Sequence, residues 1–215
     1  MDEYSENGFD DFRRAMVEHQ IVARGISDNR VIDAMLDIPR HRFVPAELID
    51  SAYDDTPLPI GNEQTISQPY IVAFMTELLE LHPNYTVLEI GTGSGYQSAV
   101  LSKIVKKVYS VERISVLAEK AQKIHRELGY NNIEILVRDG WIGLEEFAPY
   151  DGIIVTAAAS NVPQDLIKQL NAGAHLVIPI GEVYQRLWRY TITDNGYIKE
   201  PSIGVRFVPL LTGID

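Results

Sequence analysis

The chain reads as a doubly wound α/β domain built on a mostly parallel sheet, and three observations predict it. Beyond residue 83, short continuous apolar runs alternate with stretches of helical periodicity, the pattern of a parallel sheet covered on both faces. One of those runs, Val87-Leu88-Glu89-Ile90, passes directly into Gly91-Thr92-Gly93-Ser94-Gly95 and then into Tyr96-Gln97-Ser98-Ala99-Val100-Leu101, which reads as strand, tight turn and helix. Near the end, Asp194-Asn195-Gly196 sits between two strand-like runs and signals a hairpin, so the sheet is expected to finish antiparallel. A length of 215 residues suits one domain, able to bury roughly 70 per cent of its unfolded surface.

Taken in order, residues 9–24 place Phe9, Phe12, Met16 and Ile21 on one helical face, with Gly25 as the stop. Ser27 is placed to cap a second helix whose Val31, Ala34, Met35 and Ile38 follow helical spacing until Pro39. Arg40-His41-Arg42 reads as a small basic, solvated turn before a short helix over 46–51. Residues 53–66 carry Pro57, Pro59 and Gly61 without any period, and a loop of that length in a compact domain points to function. Ser67 then precedes a helix with Pro69 in its first turn and Val72, Met75, Leu78 and Leu79 on its apolar face. Spacing alone makes Ser67 a helix N-cap.

After Pro83 come a strand over 86–90, a helix over 96–104, a strand over 107–111 closed by Glu112, and a helix over 116–128. That helix buries Leu117, Ala121, Ile124 and Leu128 and stops at Gly129. Strands over 133–137 and 152–156 follow, then a helix over 164–170 opened by Pro163, a strand over 175–180, the hairpin arms 186–193 and 197–199, and one more strand over 203–209. No repeat or linker interrupts the chain. Residues 1–215 are therefore expected to form a single domain, with 1–82 a helical cap and loop and 83–215 the α/β core.

Composition removes several classes of function. Hydrophobic residues make up 46% and charged residues 23% of the chain, which is globular rather than disordered or fibrous. No apolar run approaches a membrane span and the first residues are acidic, so neither a span nor a secretory signal is expected, and the reading is cytoplasmic. Without cysteine there is no disulfide, thiolate site or cysteine nucleophile, and His19, His41, His82, His125 and His175 show no ligand spacing, so no metal is expected. A formal charge of -11 argues against a nucleic-acid partner, which recruits clustered Lys and Arg.

Three alternate glycines between a buried strand and a helix start suit a ligand cradle, because glycine lets the backbone take positive φ and approach a ligand closely. An ordinary strand-to-helix turn is the plain alternative. A dinucleotide site would carry its third glycine at residue 96, which is Tyr96. The spacing is instead G-x-G-x-G with Glu89 two residues ahead, and this resembles the first motif of the class I S-adenosyl-L-methionine methyltransferases. Glu112 falls 21 residues after Gly91 at the end of the next strand, where an acid can accept hydrogen bonds from both ribose hydroxyls; a solvated strand end is its alternative. Asp139-Gly140 suits an adenine contact or a plain turn. The motif of exocyclic-amine methylation is missing, because the place after the fourth strand of the core reads Thr156-Ala157-Ala158-Ala159.

The sequence resembles the protein-L-isoaspartate (D-aspartate) O-methyltransferases from about Met16 to Gly213. The likeness is carried by Pro39-Arg40-His41-Arg42-Phe43-Val44-Pro45, Gln64-Thr65-Ile66-Ser67-Gln68-Pro69-Tyr70, the glycine loop, Asp139-Gly140-Trp141, Ile153-Ile154-Val155-Thr156-Ala157-Ala158 and Val205-Arg206-Phe207-Val208-Pro209-Leu210. The resemblance implies a Rossmann-like class I methyltransferase fold with added N-terminal helices, and S-adenosyl-L-methionine as cofactor. It implies that Ser67 is the active-site serine, against the N-cap reading. It also places Gln64, Thr65, Ile66, Ser67, Glu89, Gly91, Gly93, Gly95, Glu112, Asp139 and Gly140 around the cofactor. Pro59, Ile60, Arg206 and Val208 would hold the substrate. Isoaspartyl-containing proteins and peptides are the implied partners of an expected monomer, with no nucleic acid and no membrane. Gly61-Asn62-Glu63 departs from the family's pattern, and the order of the last two sheet strands is left open. Rival readings are a binder of the same cofactor without methyl transfer and a small-molecule O-methyltransferase.

Overall fold

The computed structural model describes residues 6–215. Its first helix, α1 (Glu6–Met16), runs into a π-helical turn (Val17–Ile21) and a 3₁₀ turn (Val22–Arg24) that ends on Gly25 at φ 96°. The π turn explains which apolar residues face inward. Five residues make about one turn of π-helix rather than an α-helical excess of 140°, so Met16 and Ile21 stack on one face. Both are buried, whereas Phe12, expected on the same face, is 49% exposed. Helix α2 (Asn29–Asp37) is capped by Asp28, whose side chain accepts from the Arg30 amide, and not by Ser27.

The expected loop over 53–66 is a small antiparallel hairpin, β1 (Leu58–Gly61) with β2 (Gln64–Ile66). Asn62 and Glu63 join them with φ of 52° and 59°, the backbone of a tight two-residue turn that neither a period nor a glycine pair announces. Alternation along β1 sends Leu58 and Ile60 inward and Pro59 outward. Helix α3 (Pro69–Glu77) follows with Pro69 as its first residue, and Gln68, not Ser67, occupies the N-cap position. Its main-chain angles, φ -50° and ψ 137°, are the extended ones that a residue before proline prefers.

The core alternates β3 (Thr86–Ile90), α4 (Tyr96–Ser102), β4 (Lys107–Glu112), α5 (Ser115–Leu128), β5 (Ile133–Val137), β6 (Tyr150–Val155), α6 (Gln164–Lys168) and β7 (Leu170–Ile180), then ends in β8 (Gln185–Thr193) and β9 (Gly196–Val205). The sheet order is β5-β4-β3-β6-β7-β8-β9, parallel from β5 to β7 and antiparallel at β7–β8 and β8–β9. This fixes the strand order that the sequence left open. The separate last strand expected over 203–209 does not form, because β9 runs unbroken to Val205. Beyond it the chain crosses the sheet end through Ala158 N–H to Val208 O at 2.8 Å and Leu210 N–H to Ala158 O at 2.7 Å.

One buried cluster joins the N-terminal helices to a face of the sheet, with Ile21, Met35, Val72 and Met75 packed together with Val87, Tyr96 and Ile154. Each fully buried aliphatic side chain there contributes about 1.5–3 kcal/mol. Strand order reverses between β3 and β6, so successive crossovers leave on opposite faces and a crevice opens at the carboxyl ends of these strands.

Candidate active site

At that crevice the three glycines serve three different needs. Gly91 has φ 94°, and a Cβ there would lie 2.4 Å from Thr156 Oγ1; that hydroxyl donates to the carbonyls of Gly91 at 2.6 Å and Ile90 at 3.0 Å. Gly93 donates its N–H to Glu112 Oε2 at 2.8 Å. A Cβ at Gly95 would meet His125 Nε2 at 2.7 Å and Ala121 Cβ at 3.0 Å, so Gly95 lets α4 approach α5. Glu112 is 5% exposed and its other oxygen accepts from the Ile114 amide at 3.0 Å. Each oxygen of this carboxylate accepts one hydrogen bond from the protein and has room for another.

The crevice is a cavity of about 780 Å³, within the range of small-molecule sites. Gln64, Thr65, Ile66 and Ser67 line it from β2 and its exit, and Gly91 and Gly93 from the glycine loop. Glu112 and Gly140 reach it from the strand ends, and Arg206 and Val208 from the tail that crosses the sheet. A Cβ on Gly140 would lie 2.4 Å from Ile90 Cγ2, so only glycine fits at that wall.

Five expected residues stand elsewhere. Glu89 is fully buried beneath the loop, Gly95 faces α5, and Asp139 spends both oxygens on the amides of Trp141 at 2.9 Å and Gly213 at 2.7 Å. Pro59 is turned outward by the alternation of β1, and Ile60 packs under the glycine loop, its Cδ1 lying 3.6 Å from where a Cβ of Gly93 would be. Pro57 lines the cavity from this segment instead.

Glu89 accepts from the Ser98 hydroxyl and from Ser110 Oγ at 2.5 Å, while its Oε1 has no hydrogen-bond partner among the described residues. Burial, aided by the nearby Glu112 charge and opposed by the two hydroxyls, pushes its carboxyl up to about 8 from an ordinary 4.5. Such a group holds in the folded state a proton that the unfolded chain has released. Its contribution to stability is full below pH 4.5 and is lost as pH rises to about 8. Glu89→Gln, which cannot lose that proton, is expected to gain on the wild type across this window by up to about 1.4 kcal/mol per pH unit. Urea unfolding of both proteins at several pH values checks it, and a difference that stays flat with pH contradicts a neutral Glu89.

Several site residues carried no sequence signal. Gln185 holds the tail over the cavity by receiving the Phe207 N–H on Oε1 at 2.6 Å and donating Nε2 to the Phe207 carbonyl at 3.0 Å. Val183 and Tyr184, 86% and 93% exposed, stand at the cavity's rim on the β7–β8 turn. Arg40, expected in a solvated turn, is fully buried. Among the described residues no His, Asp and Glu group is placed to hold a metal ion, and no helix is long and apolar enough to cross a membrane.

A sequence model of the family described as protein-L-isoaspartate(D-aspartate) O-methyltransferase matches residues 12–214. The chain is 54% identical to a protein-L-isoaspartate O-methyltransferase of Geobacter metallireducens over 205 residues, covering 94% of this chain and 95% of that one. Among solved structures, a protein-L-isoaspartate O-methyltransferase superposes with a TM-score of 0.84 at 30% identity, covering 92% of this chain and 65% of that one. A Plasmodium falciparum protein of the same description, solved with S-adenosyl-L-homocysteine, superposes with a TM-score of 0.82 at 28% identity, covering 93% and 98%.

Proposed function

The chain belongs to the protein-L-isoaspartate(D-aspartate) O-methyltransferase family, and from that premise we propose how its cavity carries out the family's reaction. The enzyme transfers the methyl group of S-adenosyl-L-methionine to isoaspartyl residues of damaged proteins and peptides, the first step of their repair. One observation carries the assignment of residues: Ser67, the glycine loop and Glu112 line a single cavity.

These residues fit the cofactor. Glu112 is a buried acceptor with spare lone pairs for vicinal hydroxyls. Gly91 and Gly93 present bare backbone, and Gly140 adds no side chain of its own to the wall. When bound, the cofactor supplies a methyl group on a sulfonium, an inherently good leaving group. The chain supplies binding, orientation and a pocket that excludes water. An isoaspartyl α-carboxylate with a pKa near the usual ~3.3 to 3.9 is already ionised at neutral pH, so no general base is needed. Ser67 hydrogen-bonds that carboxylate and turns it toward the cofactor, while Arg206, Val208 and the neighbouring tail hold the peptide on either side.

Glu112→Ala is expected to weaken cofactor affinity by the roughly 1.5–3 kcal/mol of each charge-assisted bond to the ribose. Part of the loss arises because Glu112 also holds the Gly93 and Ile114 amides. Titration calorimetry measures it, and unchanged affinity contradicts the placement of the ribose.

The formal charge of -11 supports protein rather than nucleic acid as the substrate. The absence of cysteine suits a cytoplasmic protein. The reaction itself is tested with tritiated S-adenosyl-L-methionine and two peptides differing only in one Asp or isoAsp linkage. Base-labile methyl ester is expected on the isoAsp peptide alone; label on both, or on neither, contradicts the proposal.

A further inference from the structure

Arg40 lies in a 3₁₀ turn (Arg40–Phe43) outside the cavity, and its side chain is fully buried. Its Nε donates to the Ala52 carbonyl at 2.7 Å and its Nη2 to the Ser67 carbonyl at 2.8 Å. Ala52 and Ser67 are the two stems of the excursion that contains β1 and β2, so one rigid, planar group spans the base of that hairpin. The same base carries a bond between His41 Nδ1 and the Tyr53 hydroxyl at 2.8 Å and one from Gln68 Nε2 to the Asp55 carbonyl at 3.0 Å.

The guanidinium is badly placed to serve stability. It has no ion pair among the described residues and its Nη1 makes no hydrogen bond, a cost offset only in part by the cation–π contact of its Cζ, 4.8 Å from the ring of Tyr96. Burial pulls its pKa down to about 10, against the opposing influence of Tyr96 and Tyr53, so it remains charged at neutral pH. Taking a charge out of water carries a large desolvation cost, which such contacts must offset. What Arg40 contributes therefore lies in where its two donors point. From the far side, Ser67 is followed by Gln68, held extended ahead of the first turn of α3.

We propose that Arg40 is a positioning residue, whose guanidinium clasps the Ala52 and Ser67 carbonyls, closes the base of the β1–β2 hairpin and fixes Ser67 in the cavity wall. The inference rests on the role of Ser67 given above. A displaced Ser67 leaves the peptide bound but misaligned, and a misplacement on the order of 1 Å costs up to about a hundredfold in rate.

A double-mutant cycle tests it. Arg40→Met is expected to lower kcat on an isoAsp peptide by roughly tenfold to a hundredfold, with KM changed less than about threefold. Its thermal midpoint should fall, because the Ala52 and Ser67 carbonyls lose their donors, so the split between kcat and KM, which a merely structural role would not produce, is the readout. In a Ser67→Ala background the same change should cost less than about twofold, since both act through one hydroxyl. Arg40→Lys, with one ammonium in place of a fork, should recover part of the rate. Equal losses in the two backgrounds, a fully active Arg40→Met enzyme, or failure of both Arg40 variants to fold overturns the clasp. A fully active Ser67→Ala enzyme instead overturns the role of Ser67, and the clasp with it.

Discussion

Ser67→Ala is expected to lower the rate of isoaspartyl methylation by roughly tenfold to 150-fold, the loss of one hydrogen bond to a charged group at about 1.5–3 kcal/mol. The fold should be indifferent to the change. No hydrogen bond of the Ser67 hydroxyl to another described residue is found, and the N-cap of α3 is Gln68. Removing one oxygen from a half-exposed site of that kind usually alters stability by less than about 0.5 kcal/mol. Cofactor affinity should stay near that of the wild type, because Glu112 and the glycine loop are untouched. The pH profile discriminates further, since a substrate carboxylate ionised well below neutrality gives no bell between pH 6 and 8. A variant as fast as the wild type, or a covalent adduct on Ser67, contradicts the role.

Gly91→Ala is expected to remove both stability and cofactor binding. At φ 94° an L side chain is strained by about 1–3 kcal/mol, and its Cβ would stand 2.4 Å from Thr156 Oγ1. Thr156 cannot easily yield, being stiff at χ1 and bonded to the carbonyls of both Ile90 and Gly91. Overpacking of this kind adds about 1–3 kcal/mol, so the total is a large share of the 5–15 kcal/mol that holds a typical domain. Removing the Thr156 hydroxyl should restore part of the loss and leave the backbone strain, which urea unfolding of Gly91→Ala with and without Thr156→Ala would resolve. Gly93→Ala makes the contrast, because its Cβ meets only Ile60 Cδ1 at 3.6 Å. A Gly91→Ala protein with wild-type stability contradicts this description of the turn.

The α/β core was legible because its strands are continuous apolar runs and its longest helix, α5, stops on Gly129 at φ 77°. The tight turn at Asn62-Glu63 was hidden because Glu63 at φ 59° is not a residue that announces a left-handed backbone. The π turn that keeps Ile21 on the face of Met16 was hidden because the α-helical period fails across it, and only the structure shows where that turn begins. At the site, residue types specified the chemistry but not the distances. Glu89, Gly95 and Asp139 support the cavity from behind, and no spacing rule separates a residue that touches a ligand from one that holds its neighbour. Arg40 was read as surface because arginine usually is; its burial depends on carbonyls contributed by residues 52 and 67, a pairing invisible in the sequence.

Repair is tested most directly by following one isoAsp peptide through many turnovers with excess S-adenosyl-L-methionine. Each methyl ester should lose methanol as the following amide nitrogen closes a succinimide, and the succinimide should reopen by hydrolysis partly to normal Asp and partly to isoAsp, which re-enters the cycle. Mass spectrometry and chromatography are expected to show the Asp peptide accumulating while methanol exceeds one equivalent per peptide repaired. A stable ester after prolonged incubation, or an isoAsp peptide unchanged while the cofactor is consumed, would contradict the account.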